Sequence, residues 1–229
     1  TSAKQILTVG DVVRVKRLKS GVYALRQLPQ VQGALIASAP HTAQVVALVG
    51  GFSFSQSRFN RATQARRQAG SIFKPFIYSA ALNQGYTWAS IINDSPIVMR
   101  DSGENSLWRP NNDNFSFNGP TRLLVGLNQS RNLVSIRLLQ AIGIPYALDY
   151  VSRFGFNKTN LPNSLSLALG SGETSPLQMI QGFNVFATGG YRLAPYLVKT
   201  IRSNGEVIYE HTSPLQIPEQ TLNDSLRVI

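Results

Sequence analysis

The order of the apolar segments is the feature that most constrains the fold of this chain. Two nearly continuous apolar runs, residues 34–37 and 45–49, predict the strands of a hairpin that is buried on both faces. A block of helical patterns follows, and the turn sequence Ser203-Asn204-Gly205 then predicts another hairpin. Strands, helices and further strands in this order predict an α+β fold.

Capping residues place the helices inside that block. Thr121 predicts the N-cap of one helix, and Asn132 predicts the start of the next. A third, short helix is expected over residues 145–153. Thr174 or Ser175 is expected to cap a further helix, because Pro176 and an apolar periodic segment follow them.

Composition limits the chemistry that the chain can support. It has 229 residues, of which 43% are hydrophobic, so it is long enough to bury a core. The absence of cysteine excludes disulfides and thiolate metal sites, and the presence of only two histidines disfavours a Ser-His-Asp triad. No apolar run reaches the ~20 residues that span a bilayer. We expect a globular domain with no metal and no cofactor.

The net charge of +11 favours anionic partners such as nucleic acid, membrane headgroups or an anionic polymer. The basic residues are scattered along the chain, and no nucleic-acid-binding motif surrounds the densest groups. A solvated basic face is therefore the expected interpretation. A nucleic-acid-binding protein would instead show a steep salt dependence of its affinity for DNA.

A serine and a lysine stand three positions apart at the head of an apolar segment that predicts a helix. If Ser71 opens this helix, Ser71 and Lys74 lie one turn apart on the same face. A serine hydroxyl becomes a nucleophile when a nearby base takes its proton, and a lysine whose pKa is lowered by burial can be that base. The helix N-terminus adds partial positive charge where an oxyanion would form. The pair is therefore a candidate nucleophile and base.

A simpler interpretation makes Ser71 an N-cap residue. Two observations favour the catalytic one. Ser71 and Lys74 form the only Ser-x-x-Lys in the chain. Pro75, if it lies inside the helix, removes an N–H group and clashes with the carbonyl of Ser71, and such exceptions to local rules concentrate at functional sites.

A second pair of polar residues, Ser130 and Asn132, lies at the junction of two predicted helices. Asn132 can hold a substrate amide carbonyl, and Ser130 can relay a proton to a leaving amine. Ser116 and Asn118 have the same spacing but lie in a long polar loop, so we prefer Ser130, which helices on both sides can position. In that loop, Trp108 is expected either to line a substrate groove or to pack beneath the loop.

With these motifs, the chain resembles the transpeptidase domain of class A (bifunctional) penicillin-binding proteins, and especially their Gram-negative members. Ser-x-x-Lys and Ser-x-Asn are motifs of penicillin-binding proteins and class A β-lactamases. The resemblance covers about residues 28–229. Further segments follow the family's order: 31–35, 49–52, 59–71, 129–132, 167–170 and 187–191.

The resemblance implies a serine β-lactamase/D,D-transpeptidase-like fold, an antiparallel sheet flanked by a helical subdomain, which is incomplete here. Residues 1–30 would be the end of a preceding linker or small β domain, and residues 31–229 a partial transpeptidase domain. The family's third motif, Lys-Thr-Gly, does not occur: Lys158-Thr159 and Lys199-Thr200 are each followed by another residue. We expect that motif to lie beyond Ile229.

The resemblance also implies an activity and partners. Ser71 would be the nucleophile of a peptidoglycan D,D-transpeptidase, Lys74 its base, Ser130 a proton relay and Asn132 a substrate-binding residue. The partners would be peptidoglycan stem peptides and glycan strands, together with β-lactam antibiotics that acylate Ser71, and no nucleic acid. The parent protein would also be a glycosyltransferase, anchored on the periplasmic side of the bacterial inner membrane.

Two alternatives remain open. A serine β-lactamase has the same fold and motifs but needs a group that activates water for deacylation. Glu173 is the candidate, although its place just before a helix cap favours a structural role. The second alternative is a non-catalytic β-lactam-binding or sensor module, which the missing third motif suggests.

Overall fold

The computed structural model describes residues 3–100, 107–212 and 228–229. The α-helices of this part of the chain are α1 (Lys74–Asn83), α2 (Leu123–Asn128), α3 (Asn132–Ile142), α4 (Ile144–Ser152) and α5 (Pro176–Ala187). Short 3₁₀ turns precede or join them at Ala3–Gln5, Gly70–Phe73, Lys158–Asn160 and Leu165–Leu169. The predicted starts at Asn132 and after Ser175 are confirmed, and a capping box between Ser175 and Gln178 fixes the start of α5.

The strands form two-stranded antiparallel pairs. Their bounds are β1 (Arg14–Arg17), β2 (Tyr23–Arg26), β3 (Leu35–Ser38), β4 (Val45–Val49), β5 (Arg67–Gln68), β6 (Ile91–Asp94), β7 (Met99–Arg100), β8 (Leu107–Trp108), β9 (Gly119–Arg122), β10 (Glu173–Thr174), β11 (Thr200–Ser203) and β12 (Glu206–Glu210). The pairs are β1 with β2, β3 with β4, β5 with β10, β6 with β9, β7 with β8, and β11 with β12. Helices between antiparallel strands agree with the predicted α+β class.

Helix α1 is the centre of the core. Its buried side chains contact α3 and α4, and Phe76 meets aromatic rings from α5 and from the segment that follows α4. The ring centroids of Phe154, Phe156 and Phe183 lie 5.2, 4.8 and 5.1 Å from that of Phe76, in edge-on geometry. Because α1 is enclosed on most of its faces, its first residues are held in a fixed position.

The hairpin of β3 and β4 departs from the prediction. Its apolar run predicts burial on both faces, but Leu35, Val46 and Val49 are exposed by 54%, 61% and 52%. Within the part of the chain that the structure describes, one face of the hairpin packs on α5, where Asn184 donates to Ser38 Oγ. The opposite face has no covering layer there, so the prediction of two buried faces is wrong for these residues.

The start of α2 also differs from the prediction. Thr121 was expected to cap the helix, but it lies in β9, opposite Ile92 of β6. The helix begins at Leu123 instead. Strand pairing satisfies the backbone of Thr121, so tertiary contacts override the local capping preference.

No helix among the described residues combines the length and apolar character that crossing a bilayer requires.

Candidate active site

Ser71 lies in the 3₁₀ turn Gly70–Phe73, which continues directly into α1 at Lys74. The Lys74 backbone N–H donates to the Ser71 carbonyl, so the two residues are one helical turn apart, as predicted. Ser71 is exposed, whereas Lys74 is 1% exposed. The residue at the N-cap of the turn is Ala69, so the interpretation of Ser71 as an N-cap is wrong.

Pro75 does not break a local rule. It occupies the first turn of α1, where a missing N–H leaves no intrahelical bond unmade. The prediction of a clash with the Ser71 carbonyl assumed an α-helix that begins at Ser71. The switch from a 3₁₀ turn to an α-helix at Lys74 removes that conflict.

A close backbone contact fixes the approach to Ser71. Gly70 N donates to Gly170 O at 2.9 Å, and β5 pairs with β10 just before and just after these residues. A Cβ atom at Gly170 would lie 2.0 Å from the Gly70 carbonyl oxygen. Gly170 also has φ +70°, so both its conformation and its surroundings require glycine. Two segments that are distant in the sequence therefore set the position of the candidate nucleophile.

The ammonium group of Lys74 bonds to the second predicted pair of residues. Its Nζ donates to Ser130 O at 2.7 Å, to Ser130 Oγ at 3.0 Å and to Asn132 Oδ1 at 2.6 Å. These contacts use all three donors of the ammonium. The structure thus brings together Lys74, Ser130 and Asn132, with Ser71 one turn away on the exposed side.

Burial makes Lys74 a stronger candidate for a base. It lowers the pKa of Lys74 from the ordinary value of 10.5 to about 8, and the negative charge of Asp113 acts in the opposite direction. Near neutral pH a minor but useful fraction of such an amine is neutral. A neutral amine can accept a proton from a serine hydroxyl.

Ser130 has an unusual backbone conformation. It lies between α2 and α3 with φ +52°, a left-handed value that is uncommon for a residue other than glycine. This conformation aims both its carbonyl and its hydroxyl at Lys74. Ser116, the alternative match, instead offers its carbonyl and hydroxyl to Arg131, so the structure brings Ser130 and not Ser116 to Lys74.

The hydroxyl of Ser71 makes no side-chain hydrogen bond with any residue that the structure describes. Catalytic contacts of this kind are often long without substrate and tighten when substrate is bound. The arrangement offers an exposed hydroxyl, a buried amine and a second hydroxyl bonded to that amine. It can remove a proton on one side of a reacting carbonyl and deliver one on the other.

The remaining predicted residues have other surroundings. Trp108 is half-buried and packs against the core, with its strand paired to Met99, which agrees with the packing alternative. Glu173 is exposed and lies in β10, where its backbone pairs with Gln68. It therefore belongs to the strand that precedes the cap of α5.

Sequence reasoning missed three residues that support the site. Asp94, Asn112 and Arg131 are buried, and they hydrogen-bond to one another or to the residues beside Lys74. Arg131 stands between the two motif residues, which was an available signal. Asp94 and Asn112 lie far away in the sequence, and no local pattern marks them.

Comparisons with known proteins identify the family. Residues 33–225 match the family described as the penicillin binding protein transpeptidase domain. Penicillin-binding protein 1A of Pseudomonas aeruginosa is 46% identical over 222 residues, which cover 96% of this chain and 27% of that protein. The chain therefore spans about a quarter of the length of this relative.

Solved structures agree with this match. The crystal structure of penicillin-binding protein 1A from Haemophilus influenzae superposes with a TM-score of 0.81 and 39% identity, covering 88% of this chain and 30% of that one. An imipenem acyl-enzyme complex of penicillin-binding protein A from Mycobacterium tuberculosis has the same fold, with a TM-score of 0.68 and 19% identity, over 79% of this chain and 52% of that one. Sequence, fold and the Ser71–Lys74 arrangement together place this chain in the penicillin-binding protein transpeptidase family.

Proposed function

We propose that this chain is the D,D-transpeptidase domain of a bifunctional penicillin-binding protein and cross-links peptidoglycan stem peptides through an acyl-serine intermediate on Ser71. One observation carries the proposal: buried Lys74 is hydrogen-bonded to Ser130 and Asn132, one helical turn from exposed Ser71. The family match supports the reaction type. β-Lactams would acylate the same serine.

In the first half-reaction, neutral Lys74 accepts the proton of Ser71 Oγ. The oxygen forms a bond to the carbonyl carbon of the penultimate D-Ala, and the N–H of Ser71 stabilises the oxyanion. The bond to the terminal D-Ala nitrogen then breaks. The proton held by Lys74 passes through Ser130 Oγ, 3.0 Å from Nζ, to the leaving amine. Asn132 orients the acyl chain through its side-chain amide.

In the second half-reaction, the amine of another stem peptide attacks the acyl carbon. A new amide bond forms, and the bond from that carbon to Ser71 Oγ breaks. The proton lost by the amine returns to Ser71 Oγ by way of Ser130 and Lys74. The enzyme is thereby restored, and no group besides the two peptides is consumed.

The test is covalent labelling by benzylpenicillin, measured by intact mass and peptide mapping. A single adduct on Ser71 is expected, and the Ser71→Ala protein should remain unlabelled. Ser79→Ala is a matched control, because Ser79 lies on α1 and its hydroxyl is hydrogen-bonded to Tyr150 of α4. Labelling that survives in the Ser71→Ala protein would overturn the assignment.

The lifetime of the adduct separates the transpeptidase from a serine β-lactamase. A transpeptidase keeps the penicilloyl group because water attacks it slowly. Rapid loss of the adduct, with release of hydrolysed penicillin, would favour the β-lactamase. If rapid loss occurs, Glu173→Gln tests whether Glu173 activates the water.

We further infer how this chain fits into a longer protein. The family match begins at residue 33, which supports residues 1–30 as the end of a preceding linker or small β domain. This chain spans 27% of the length of one such relative, and the resemblance to class A penicillin-binding proteins implies a parent protein that also carries a glycosyltransferase and is anchored on the periplasmic side of the inner membrane. Fractionation of cells that express the parent protein tests this location.

A further inference from the structure

The loop between β8 and β9 is hydrogen-bonded to the start of α3, beside the residues that contact Lys74. Helix α3 has no side-chain cap of its own, since its N-cap residue, Arg131, makes no capping bond. Asn112 supplies the cap from the loop: its Oδ1 accepts from the N–H of Asn132 at 2.8 Å and of Leu133 at 3.3 Å. The first two amides of α3 are therefore held by a residue twenty positions earlier.

Asn112 is itself fixed at its other end. It is 3% exposed, and its Nδ2 donates to Asp94 Oδ1 and to the Ser116 carbonyl, both at 2.9 Å. All polar atoms of this amide are thus engaged. Rotation of the side chain would break bonds at both ends, so the cap on α3 has a single orientation.

Arg131 joins the same group of residues. Its side chain is 5% exposed, and Nε and Nη2 lie 2.7 and 2.6 Å from Asp94 Oδ2, whose side chain is fully buried. Its remaining donors reach Asn114 Oδ1 and the Ser116 carbonyl. With these bonds the charges of the buried carboxylate and guanidinium neutralise each other, so removal of either one leaves an unpaired buried charge. We call Asp94, Asn112 and Arg131 the Asp94 network.

The Asp94 network surrounds the two residues that contact Lys74. Ser130 precedes Arg131 and has the left-handed backbone described above, a conformation that persists only where neighbouring contacts enforce it. Asn132 follows Arg131, and its Nδ2 donates to the Asn111 carbonyl at 2.8 Å. This bond turns the amide so that Oδ1 faces Lys74.

We propose that Asp94, Asn112 and Arg131 are positioning residues that hold Ser130 and Asn132 in the orientation in which both contact Lys74. The consequence for catalysis rests on the proposed function. These residues touch no reacting atom and act through the start of α3. The loop and the start of α3 are then held together, and the Ser130 hydroxyl is correctly placed only when the Asp94 network is intact.

The first test compares two buried asparagines. Asn112→Ala removes the cap on α3, whereas Asn184→Ala removes a bond between α5 and β3 that involves none of the site residues. We expect benzylpenicillin acylation of Ser71 to slow on the order of 10- to 100-fold in Asn112→Ala. Without the cap, Ser130 and Asn132 should shift relative to Lys74, and a displacement of about 1 Å at a catalytic site can cost this much. Asn184→Ala should keep the acylation rate even if it lowers the melting temperature. Equal acylation rates in two folded variants would overturn the proposal.

The second test follows the titration of Lys74 and needs no activity. The protein has six lysines, so ¹³C-lysine labelling gives few signals, and the Lys74→Met protein identifies that of Lys74. Asn112→Ala changes no charge, so a shift in the pKa of Lys74 would report the loss of its hydrogen bonds to Ser130 and Asn132. These bonds favour the charged amine, so the pKa should fall in Asn112→Ala. It should stay unchanged in Asn184→Ala, and Asp113, which also acts on Lys74, is present in both variants.

The outcomes separate the two proposals. If wild-type protein is not acylated, the proposed function fails, and the titrations of Lys74 still decide the positioning role. A lower pKa in Asn112→Ala with an unchanged pKa in Asn184→Ala supports it, whereas equal or absent shifts contradict it. If Asn112→Ala does not fold, Asp94→Asn combined with Arg131→Met removes two opposite charges together, and the pKa of Lys74 should fall in this protein as well.

Discussion

Lys74 combines burial with hydrogen bonds to two side chains, so its protonation state should control acylation. With a pKa of about 8, lowered by burial, most of the amine is charged at pH 7. Since the neutral form is the base, the acylation rate should rise with pH up to about 8 and then level off. Below that point it should fall about tenfold per pH unit. Rates measured between pH 6 and 9.5 on well-folded protein test this, and a profile flat across pH 8 would contradict it.

Asp113 offers a way to move that profile. Its charge raises the pKa of Lys74, so Asp113→Asn should lower the pKa and shift the rise in acylation to lower pH. Acylation at pH 7 should then become faster, because more Lys74 is neutral. Asp149→Asn removes an exposed carboxylate that pairs with Lys158, away from the site, and should leave the profile unchanged. A shift to higher pH in Asp113→Asn would contradict the assignment of Lys74 as the base.

At the residue scale, the sequence predicts the contacts between residues that are close together in the chain. Ser71 and Lys74 are one turn apart because their spacing matches a helical turn. The bond between Arg131 and Asp94 could not be predicted in this way, since the two residues belong to different elements and only the folded chain brings them together. The cap that Asn112 places on α3 is hidden for the same reason.

At the scale of elements, the contact between Gly70 and Gly170 links the 3₁₀ turn before α1 to the turn before β10. Gly170→Ala should destabilise the protein by at least about 2 kcal/mol, because the methyl group meets backbone and the left-handed conformation disfavours alanine. It should also slow acylation by displacing Ser71. Urea unfolding and benzylpenicillin labelling measure the two effects.

Gly189→Ala is a control that separates the cost of the steric clash at Gly170 from the cost of its left-handed backbone conformation. Gly189 has φ +74°, close to the +70° of Gly170, but a Cβ atom there meets nothing within 4 Å. Gly189→Ala should therefore show only the smaller cost of the left-handed conformation and normal acylation. If both variants lose the same stability and the same activity, the contact with Gly70 has no special role.

The boundaries of some helices and strands can be predicted from the local sequence alone. Ser175, Pro176 and Gln178 define the start of α5 by themselves, because the capping box lies within four residues. The hairpin of β11 and β12 is likewise marked by Asn204 and Gly205, which both adopt the left-handed conformation. Thr121 has an equally suitable side chain for a cap, but pairing with β6 places it in a strand.

At the scale of the molecule, burial is unevenly distributed. Among the described residues, helices α1 and α3 carry about half of the fully buried side chains, whereas every residue of β1 and β12 is exposed. We expect the amides of α1 and α3 to exchange with solvent most slowly in native-state hydrogen exchange, and those of β1 and β12 much faster. Equal protection of α3 and β12 would show that the stability is spread more evenly than the burial.

This distribution also explains the wrong prediction for β3 and β4. An apolar run indicates that a strand is suited to burial, but not which layer covers it. In the described part of the chain, α5 covers one face of the hairpin. The core around Phe76 was more predictable, because the apolar positions of its helices recur at helical spacing.

The contact between Gly70 and Gly170 has a consequence for genetics. A loss of function caused by a side chain at position 170 could ordinarily be relieved by a second mutation that shortens the residue it strikes. Here the atoms that a Cβ would strike are the backbone carbonyl and nitrogen of Gly70, which no codon change can remove. Intragenic suppressors of Gly170→Ala should therefore not arise at position 70. A selection for them should return true revertants, or changes that move one of the two segments as a whole.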